Sequence, residues 1–186
     1  AKKDASSILI LGTGALSMNL IRAHCDIRPI KKVFVWGRNF KKAALISQGF
    51  DQKQYEVIPV KDYFDVLSEV DIISCATLSK KPLVLGKYLK KGQHLDLVGA
   101  YKKDMREADD KAVSKSVVFL DTYQGGLKES GDIVIPIQNG ILKEADIKAD
   151  LFALCSGSHK GRQSDNEITF FKSVGHASED LIGARY

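Results

Sequence analysis

The sequence has few cysteines and no long apolar run, and these absences narrow the class of protein. Its three cysteines, Cys25, Cys75 and Cys155, are far apart and form neither a CxxC pair nor a cluster with histidine at metal-ligand spacing. No apolar run approaches the roughly 18 residues that a membrane-spanning helix requires. We therefore predict no structural metal, no membrane span and a location in the reducing cytoplasm.

The chain also lacks a strong charge of either sign. Its 186 residues carry a net charge of +5, and 44% of them are apolar, which fits one globular domain. The basic residues are scattered and form no stripe with interleaved aromatics, so we predict no nucleic-acid partner. The mild basicity suits an anionic cofactor and a carboxylate substrate. The first residues show no signal peptide and no initiator Met, so we expect the true start to lie upstream.

A glycine turn between a strand and a helix is the most informative local pattern. Residues 8–11 form a short apolar run, Gly12-Thr13-Gly14 follows, and a helical pattern begins at once. In a dinucleotide-binding loop, the first glycine permits the tight turn and the second lets the backbone approach a pyrophosphate at the helix N-terminus. Ser17 takes the place of the third glycine and is small enough for close helix packing. The alternative is a purely structural turn.

The second unit indicates which dinucleotide would bind. A predicted strand at residues 32–36 is followed by Gly37, Arg38 and Asn39. An acid at this position would bind a ribose 2′-OH and indicate NAD, but Arg38 stands there, with Lys41 and Lys42 behind it. The pattern favours a 2′-phosphate, and therefore NADPH, with NADH as a possible second cofactor. The alternative is that Arg38 is a solvated turn residue.

The rest of the chain continues to alternate between strands and helices. This rhythm predicts an α/β fold with a doubly wound, mostly parallel sheet of the Rossmann type and a C-terminal return segment of helix and strand. After Asp121, Gly125, Gly126 and Gly131 interrupt the pattern. The predicted strands are residues 8–11, 32–36, 55–60, 71–76, 94–98, 117–121 and 167–174, and the helices after the first are 41–47, 62–68, 82–89, 107–114, 144–155 and 177–186.

Several motifs together resemble the ornithine cyclodeaminase/mu-crystallin family, and the resemblance is collinear over nearly the whole chain. It implies a dinucleotide-binding core over residues 1–122 and a return segment over 123–186 that packs on the same domain. It also implies that the N-terminal half, which carries much of the substrate site and the dimer interface in family members, is absent from this chain. The motifs are GTGALSMNLIRA, VFVWGRN, DIISCATLSKKPLVLG, LKKGQHLDLVGAYKKDMREADD, VVFLDTYQGGLKESGDI and EITFFKSVGHASEDL.

The resemblance also implies the residues of a nicotinamide-cofactor site. The glycine loop would hold the pyrophosphate, the turn after the second strand the ribose phosphate, and three later segments would lie near the rest of the cofactor. For Thr77 and Ser79 the alternative is simple loop capping. The implied cofactor-binding residues are Gly12, Thr13, Gly14, Ala15, Arg38, Asn39, Thr77, Leu78, Ser79, Val98, Gly99, Val174 and Gly175.

One departure from the family pattern bears on the reaction. The cyclodeaminases of the family have an aspartate after the fifth strand, and the matching residue here is Tyr101, whose phenol has an ordinary pKa of about 10 and is no carboxylate base. Arg106 and Glu107 recur in the imine-reducing relatives, where we favour an ion pair that caps the following helix. We expect His94 and His176 to be structural, and no catalytic residue is assigned.

These observations lead to a function with two rivals. The resemblance implies NAD(P)H-dependent reduction of a cyclic imine carboxylate, of the Δ1-pyrroline-2-carboxylate to L-proline type, with this chain as the cofactor-binding part. The substrate would be a small cyclic imino acid or amino acid, and the protein a homodimer through the N-terminal half. The alternatives are ornithine cyclodeaminase, which would release ammonia, and a non-catalytic, crystallin-like protein that binds NADPH. The isolated chain is expected to be inactive.

Overall fold

The apolar runs identified in the sequence form a parallel sheet. The computed structural model describes residues 1–185, and within them all strand pairs of a seven-stranded sheet are parallel, in the order β3-β2-β1-β4-β5-β7-β6. The predicted α/β class with a Rossmann-type parallel sheet is confirmed. The strands are β1 (Ser7–Leu11), β2 (Lys32–Trp36), β3 (Glu56–Pro59), β4 (Ile72–Cys75), β5 (His94–Leu97), β6 (Ser116–Leu120) and β7 (Ile168–Lys172).

Helices cover both faces of this sheet. Successive side chains of a strand point to opposite faces, so Leu9 and Leu11 of β1 join one apolar cluster, while Ile8 and Ile10 join another. A parallel strand that is covered on both faces reads as a continuous apolar run, and β1 does so. The helices are α1 (Ser17–Ile27), α2 (Phe40–Gln48), α3 (Phe64–Leu67), α4 (Asp110–Ser114), α5 (Tyr123–Glu129), α6 (Gly131–Gln138), α7 (Leu151–Cys155) and α8 (Ala177–Arg185).

The last strand lies inside the sheet. β7 pairs with β5 on one side and with β6 on the other, so the last strand in the sequence lies between two strands that precede it in the sequence. Its residues are almost all buried, and its end aligns Lys172 with Leu97 of β5 and Leu120 of β6. The C-terminal return segment is therefore part of the sheet. The helix predicted to follow it reaches Arg185, and Tyr186 lies outside the described residues.

One predicted helix, at residues 82–89, is wrong, and another, at residues 144–155, is only partly formed; both differences come from long-range backbone pairing. Residues 82–89 form turns, because the amides of Leu83 and Val84 bond to the carbonyl of Glu107. In residues 144–155, a 3-10 turn and α7 are separated by a short extended segment in which Ala149 bridges to Phe119 of β6. In each case the backbone bonds to a distant segment and not to its own preceding turn.

One helix boundary and one predicted interruption also differ from the sequence interpretation. The helix predicted from residue 107 begins only at Asp110, where the side chain of Asp109 caps α4 by accepting a bond from Ala112 N. The glycines after Asp121 do not interrupt the structure but lie in α5 and α6. Gly126 has room only for hydrogen, because a Cβ there would lie 2.9 Å from the side chain of Leu120. These glycines serve close helix packing.

Candidate functional site

A cleft of about 920 Å³ opens beyond the carboxyl ends of β1, β2 and β4. The strand order reverses direction at β1, which has β2 on one side and β4 on the other. Ligands of open parallel sheets bind at such a switch point. The residues that line the cleft are Gly12, Thr13, Gly14, Trp36 to Asn39, Lys42, Ala76 to Lys81 and Leu83.

The glycine loop forms one wall of the cleft. Gly12 has a φ of +129°, and a Cβ there would lie 2.7 Å from the carbonyl oxygen of Ala76, so this position requires glycine. Ser17, the residue at the third position of the motif, donates from its hydroxyl to the carbonyl of Gly12 over 3.0 Å and is fully buried. A Cβ on Gly14 would meet nothing within 4 Å, so Gly14 faces open space.

The start of α1 suits an anion. No acidic residue lies in its first turn, and its N-cap residue, Leu16, provides no side-chain hydrogen bond. The first amides of an uncapped helix and its dipole attract negative charge. Thr13 lines the cleft, while Ala15 follows the lining segment without being part of it. The loop and the helix start thus form a cradle that a pyrophosphate fits.

The turn after β2 forms the adjoining basic wall. The side chain of Asn39 caps α2 by accepting a bond from Lys41 N over 3.0 Å, so its oxygen is already engaged. Arg38 is exposed and lines the cleft together with Lys42, whereas Lys41 does not line it. No acidic residue lines the cleft among residues 1–185. This basic wall has the charge to bind a phosphate group.

The loops after β4 and β5 form the opposite wall. Thr77, Leu78 and Ser79 line the cleft, and both the backbone amide and the hydroxyl of Thr77 donate to Glu107 Oε1 over 2.7 Å. Val98 and Gly99 lie behind this wall and not on the cleft surface. A Cβ on Gly99 would lie 2.1 Å from the carbonyl oxygen of Thr77, so the two loops pack backbone against backbone.

The segment after β7 is fixed by an acid that the sequence interpretation missed. Val174 and Gly175 do not line the cleft; their amides donate to Asp121 Oδ2 over 2.6 and 2.8 Å. Asp121 is fully buried, and its other oxygen accepts from Thr122 N over 2.6 Å. A charged residue directly after the buried strand β6 is the sequence signal that could have identified it.

Glu107 belongs to a buried group of charges, and the predicted ion pair between Arg106 and Glu107 is wrong. Arg106 pairs instead with Asp110 over 2.7 Å and so stabilises the first turn of α4. Glu107 lies near Lys172 Nζ, with Asp132 beside it. Burial raises the pKa of Glu107 to about 7, the positive charge of Lys172 opposes this rise, and Asp132 adds to it.

The remaining candidate residues have structural contacts. A ring nitrogen of His94 lies 2.8 Å from Thr169 Oγ1, and His176 accepts a bond from Ser178 N over 3.2 Å. Cys75 is fully buried, as its apolar run predicts, and burial raises the pKa of its thiol. Among residues 1–185, no three His, Cys, Asp or Glu side chains lie close enough to hold a metal ion.

No helix in the described part of the chain has the length and apolar character needed to cross a membrane.

Tyr101, at the position of the cyclodeaminase aspartate, is 46% exposed, so its phenol faces solvent at the edge of the loop after β5. The site therefore consists of a glycine loop, a basic turn after β2 and two loops that are joined beneath the cleft.

Comparison with known proteins gives consistent matches over the whole chain. A sequence model of the ornithine cyclodeaminase/mu-crystallin family matches residues 1–186. The Δ1-pyrroline-2-carboxylate reductase of Paracoccus denitrificans is 35% identical over 187 residues, which cover 100% of this chain and 59% of that protein. The chain thus spans less than two thirds of the length of this relative.

Solved structures agree with the fold. The Δ1-pyrroline-2-carboxylate reductase of Thermococcus litoralis, in complex with NADH and L-proline, superposes with a TM-score of 0.95 at 36% identity and covers 100% of this chain and 58% of that one. An archaeal alanine dehydrogenase dimer with bound NAD superposes with a TM-score of 0.91 at 24% identity, again over 100% of this chain and 57% of that one. The second likeness concerns the fold alone.

Proposed function

Because the chain belongs to the ornithine cyclodeaminase/mu-crystallin family, we propose that it is the cofactor-binding part of an enzyme that reduces a cyclic imine carboxylate. The reaction would be of the type that converts Δ1-pyrroline-2-carboxylate to L-proline. The observation that carries this proposal is the cleft, in which a glycine loop at a helix start adjoins a basic turn and Gly14 faces open space. Relatives at 35 and 36% identity are named for this reaction.

The residues of the cleft fit a nicotinamide dinucleotide. Gly12 permits the tight turn, Gly14 leaves open a space that a side chain would enter, and the start of α1 offers free amides to a pyrophosphate. Arg38 and Lys42 would bind a 2′-phosphate, which supports NADPH as the preferred cofactor, although the cofactor named for the Thermococcus relative is NADH. Thr13 within the glycine loop and Ala15 directly after it complete the proposed pyrophosphate segment.

The other proposed cofactor residues would flank the nicotinamide. They are Thr77, Leu78 and Ser79 on the cleft wall, Val98 and Gly99 behind it, and Val174 and Gly175 after β7. The bound cofactor supplies the hydride that reduces the C=N carbon of the substrate. The protein would orient this transfer and exclude water, and we assign no proton donor among these residues.

A homodimer and a second substrate-binding part complete the proposal. Because the chain spans 58–59% of its relatives, we propose that it binds a cofactor weakly by itself and turns over little or no substrate. Holding two reactants close together lowers the activation barrier by roughly 7–11 kcal/mol, and this requires both the cofactor site and the substrate site. The three unpaired cysteines of the described chain support a reducing, cytoplasmic location.

Ornithine cyclodeamination is the first alternative. It would need an acid where Tyr101 stands, and the phenol of Tyr101 is partly exposed to solvent. Replacing Tyr101 with Asp would restore one carboxylate, but the neighbouring Pro-Gly-Lys type sequence of the cyclodeaminases is also absent. We expect no ammonia release from ornithine by the wild type or by Tyr101→Asp. Ammonia release by the wild type would overturn the proposed branch.

A turnover assay separates the proposed enzyme from a non-catalytic NADPH-binding protein. The full-length protein is mixed with Δ1-pyrroline-2-carboxylate and NADPH, and the loss of reduced cofactor and the formation of proline are measured together. Equal amounts of NADP⁺ and proline support the proposal. Tight NADPH binding without turnover would support the non-catalytic alternative, and the same reaction with the 186-residue chain tests its expected inactivity.

A further inference from the structure

Three charged side chains are buried beneath the wall of the cleft, and they come from three distant segments. Lys172 at the end of β7 has no exposed surface, and neither have Glu107 before α4 and Asp132 in α6. Lys172 Nζ lies 3.3 Å from Asp132 Oδ2 and 3.9 Å from Glu107 Oε2. We refer to Glu107, Asp132 and Lys172 as the charged junction.

The charged junction is bonded to both loops of the cleft wall. Glu107 Oε1 accepts from the amide and the hydroxyl of Thr77, and Lys172 Nζ donates to the carbonyl oxygen of Gly99. The two loops are bonded to each other as well, because Ala100 N donates to the carbonyl of Thr77 over 2.9 Å. Ala100 has a φ of +49°, a conformation that a non-glycine residue keeps only when its surroundings fix it.

The charges of the junction do not balance one to one. Two carboxylates share one ammonium, and Glu107 Oε2 and Asp132 Oδ2 have no hydrogen-bond partner in the described chain. Asp132 is otherwise satisfied, since its Oδ1 accepts from Glu107 N and Ala108 N over 2.7 and 3.0 Å. Removing Lys172 would leave both buried carboxylates without a cation, whereas removing one carboxylate would leave the other paired with Lys172.

We propose that Glu107 is a positioning residue for the cofactor site, which holds Thr77 in place through its Oε1 while Lys172 holds Gly99 and Asp132 fixes Glu107. The proposal rests on the proposed function for the identity of the ligand, the nicotinamide end of a dinucleotide. Glu107 itself does not line the cleft. It acts through Thr77, and the close contact between Thr77 and Gly99 transmits its effect to the loop after β5.

Glutamine at position 107 is a sharp test because it has the same shape as glutamate. If its oxygen faces Thr77, its NH₂ group faces the ammonium of Lys172; if it is turned round, the NH₂ group faces the two donors of Thr77. Either orientation loses interactions on one side. Glu129→Gln is the matched control, because Glu129 is an exposed glutamate of α5 outside the cleft.

Amide hydrogen exchange, measured by NMR on the full-length protein, tests the junction without any cofactor. Glu107→Gln should speed exchange at Thr77 N and also at Ala100 N, which Glu107 does not touch, by about tenfold, the equivalent of one lost hydrogen bond. Glu129→Gln should change neither amide. Unchanged exchange at both amides in Glu107→Gln, or a change confined to Thr77, would overturn the proposal.

Calorimetric titration with two ligands shows whether the positioning matters at the nicotinamide end. Glu107→Gln should weaken NADPH binding about fivefold or more, and should leave the affinity for 2′-phospho-ADP-ribose, which lacks nicotinamide, unchanged. Equal weakening of both ligands would indicate general structural damage and would refute the positioning role. If the wild type binds neither ligand, the proposed function fails, whereas the exchange experiment still decides the role of Glu107.

The melting temperatures of Lys172→Met and of the double variant Lys172→Met/Glu107→Gln provide a second test of the charged junction, which does not depend on ligand binding. Methionine keeps most of the apolar stem of the side chain but leaves two buried carboxylates without a cation, so Lys172→Met should lower the melting temperature strongly. The double variant should recover part of that loss, because it removes one of the two uncompensated carboxylates. A double variant that is less stable than Lys172→Met would contradict a coupled junction.

The hydrogen bond from Thr77 N to Glu107 should also depend on pH. The groups that face Glu107 are Lys172 of β7, Asp132 of α6 and Cys75 of β4. Exchange at Thr77 N, corrected for its intrinsic pH dependence, should be slower above pH 7, where Glu107 is ionised, than below it. Glu107→Gln should abolish this step, and a step that persists in the variant would assign it to another group.

Discussion

The preference for NADPH over NADH should depend on Arg38, and replacing this residue with alanine tests the assignment of the ribose side of the cleft. Arg38 lies at the turn before α2, where the oxygen of Asn39 already caps the helix. The arginine is exposed, and no acid lines the cleft within the described chain to neutralise it. All the N–H groups of its guanidinium are therefore available to donate hydrogen bonds to a phosphate.

The magnitude follows from the type of contact. A charge-assisted hydrogen bond contributes about 1.5–3 kcal/mol, and about 1.4 kcal/mol is a tenfold change in affinity. The wild type should therefore bind NADPH about 10- to 100-fold more tightly than NADH. Because solvent screens an exposed arginine, we expect Arg38→Ala to lose roughly 10- to 30-fold in NADPH affinity. NADH, which has no 2′-phosphate, should be nearly unaffected.

The chain provides its own reporter for this titration. Trp36 is the one tryptophan of the sequence, and it lines the cleft with its indole nitrogen bonded to Lys61 O over 3.2 Å. Quenching of its fluorescence by NADPH and NADH gives both dissociation constants. Arg22→Ala is the control, since Arg22 is an exposed arginine of α1 that lies outside the cleft and carries the same charge.

Two results would refute the reasoning about Arg38. A wild type that prefers NADH would show that the turn does not bind the 2′-phosphate. Equal weakening of NADPH and NADH by Arg38→Ala would show that the arginine contributes to a part that the two cofactors share. A salt titration adds an independent check, because ionic strength should weaken NADPH binding more than NADH binding.

Three further variants test other parts of the site. Gly14→Val should weaken the binding of NADPH and of NADH alike without lowering the melting temperature. The reason is that a Cβ at Gly14 meets nothing within 4 Å and would only enter the proposed pyrophosphate space. A loss of affinity for only one of the two cofactors would contradict this prediction. Asp121→Asn should reduce the free energy of unfolding by about 2–4 kcal/mol, because its NH₂ group would face either the amides of Val174 and Gly175 or the amide of Thr122. Denaturant unfolding measures this change, and a loss below about 1 kcal/mol would contradict the prediction. The pKa of Glu107 is raised from its unfolded value of 4.5 to about 7, so the folded state binds the proton more tightly, and the contribution of Glu107 to stability should fall by about 3 kcal/mol as the pH rises from 4.5 to 7 and stay level above that. Glu107→Gln should lack this slope in unfolding experiments at a series of pH values, and an unchanged slope would assign it elsewhere.

The sequence predicts well those features that depend on neighbouring residues. The apolar runs of β1 and β4 are buried on both faces, and the glycine turn between β1 and α1 needs only a few residues to be recognised. Ser17 in place of the third glycine keeps a role in the turn through its bond to Gly12. Such local patterns contain the physical cause of the structure they predict.

The failures concern residues whose partners are distant in the sequence. The turns at residues 82–89 exist because Leu83 and Val84 bond to Glu107, more than twenty positions downstream. The charged junction joins Glu107 with two residues 25 and 65 positions further on, so no local pattern contains it. A lysine at the end of a buried strand was the one visible signal of this group.

The position of β7 has a consequence for the order of folding. During synthesis the ribosome releases β5 and β6 long before β7, yet in the finished sheet β7 separates them. A space one strand wide, about 4.8 Å, must be kept open or reopened until the C-terminal segment arrives. A nascent chain that pairs β5 directly with β6 would be a kinetic trap, and its escape would require those strands to part. Completion of the seven-stranded sheet therefore follows the synthesis of β7.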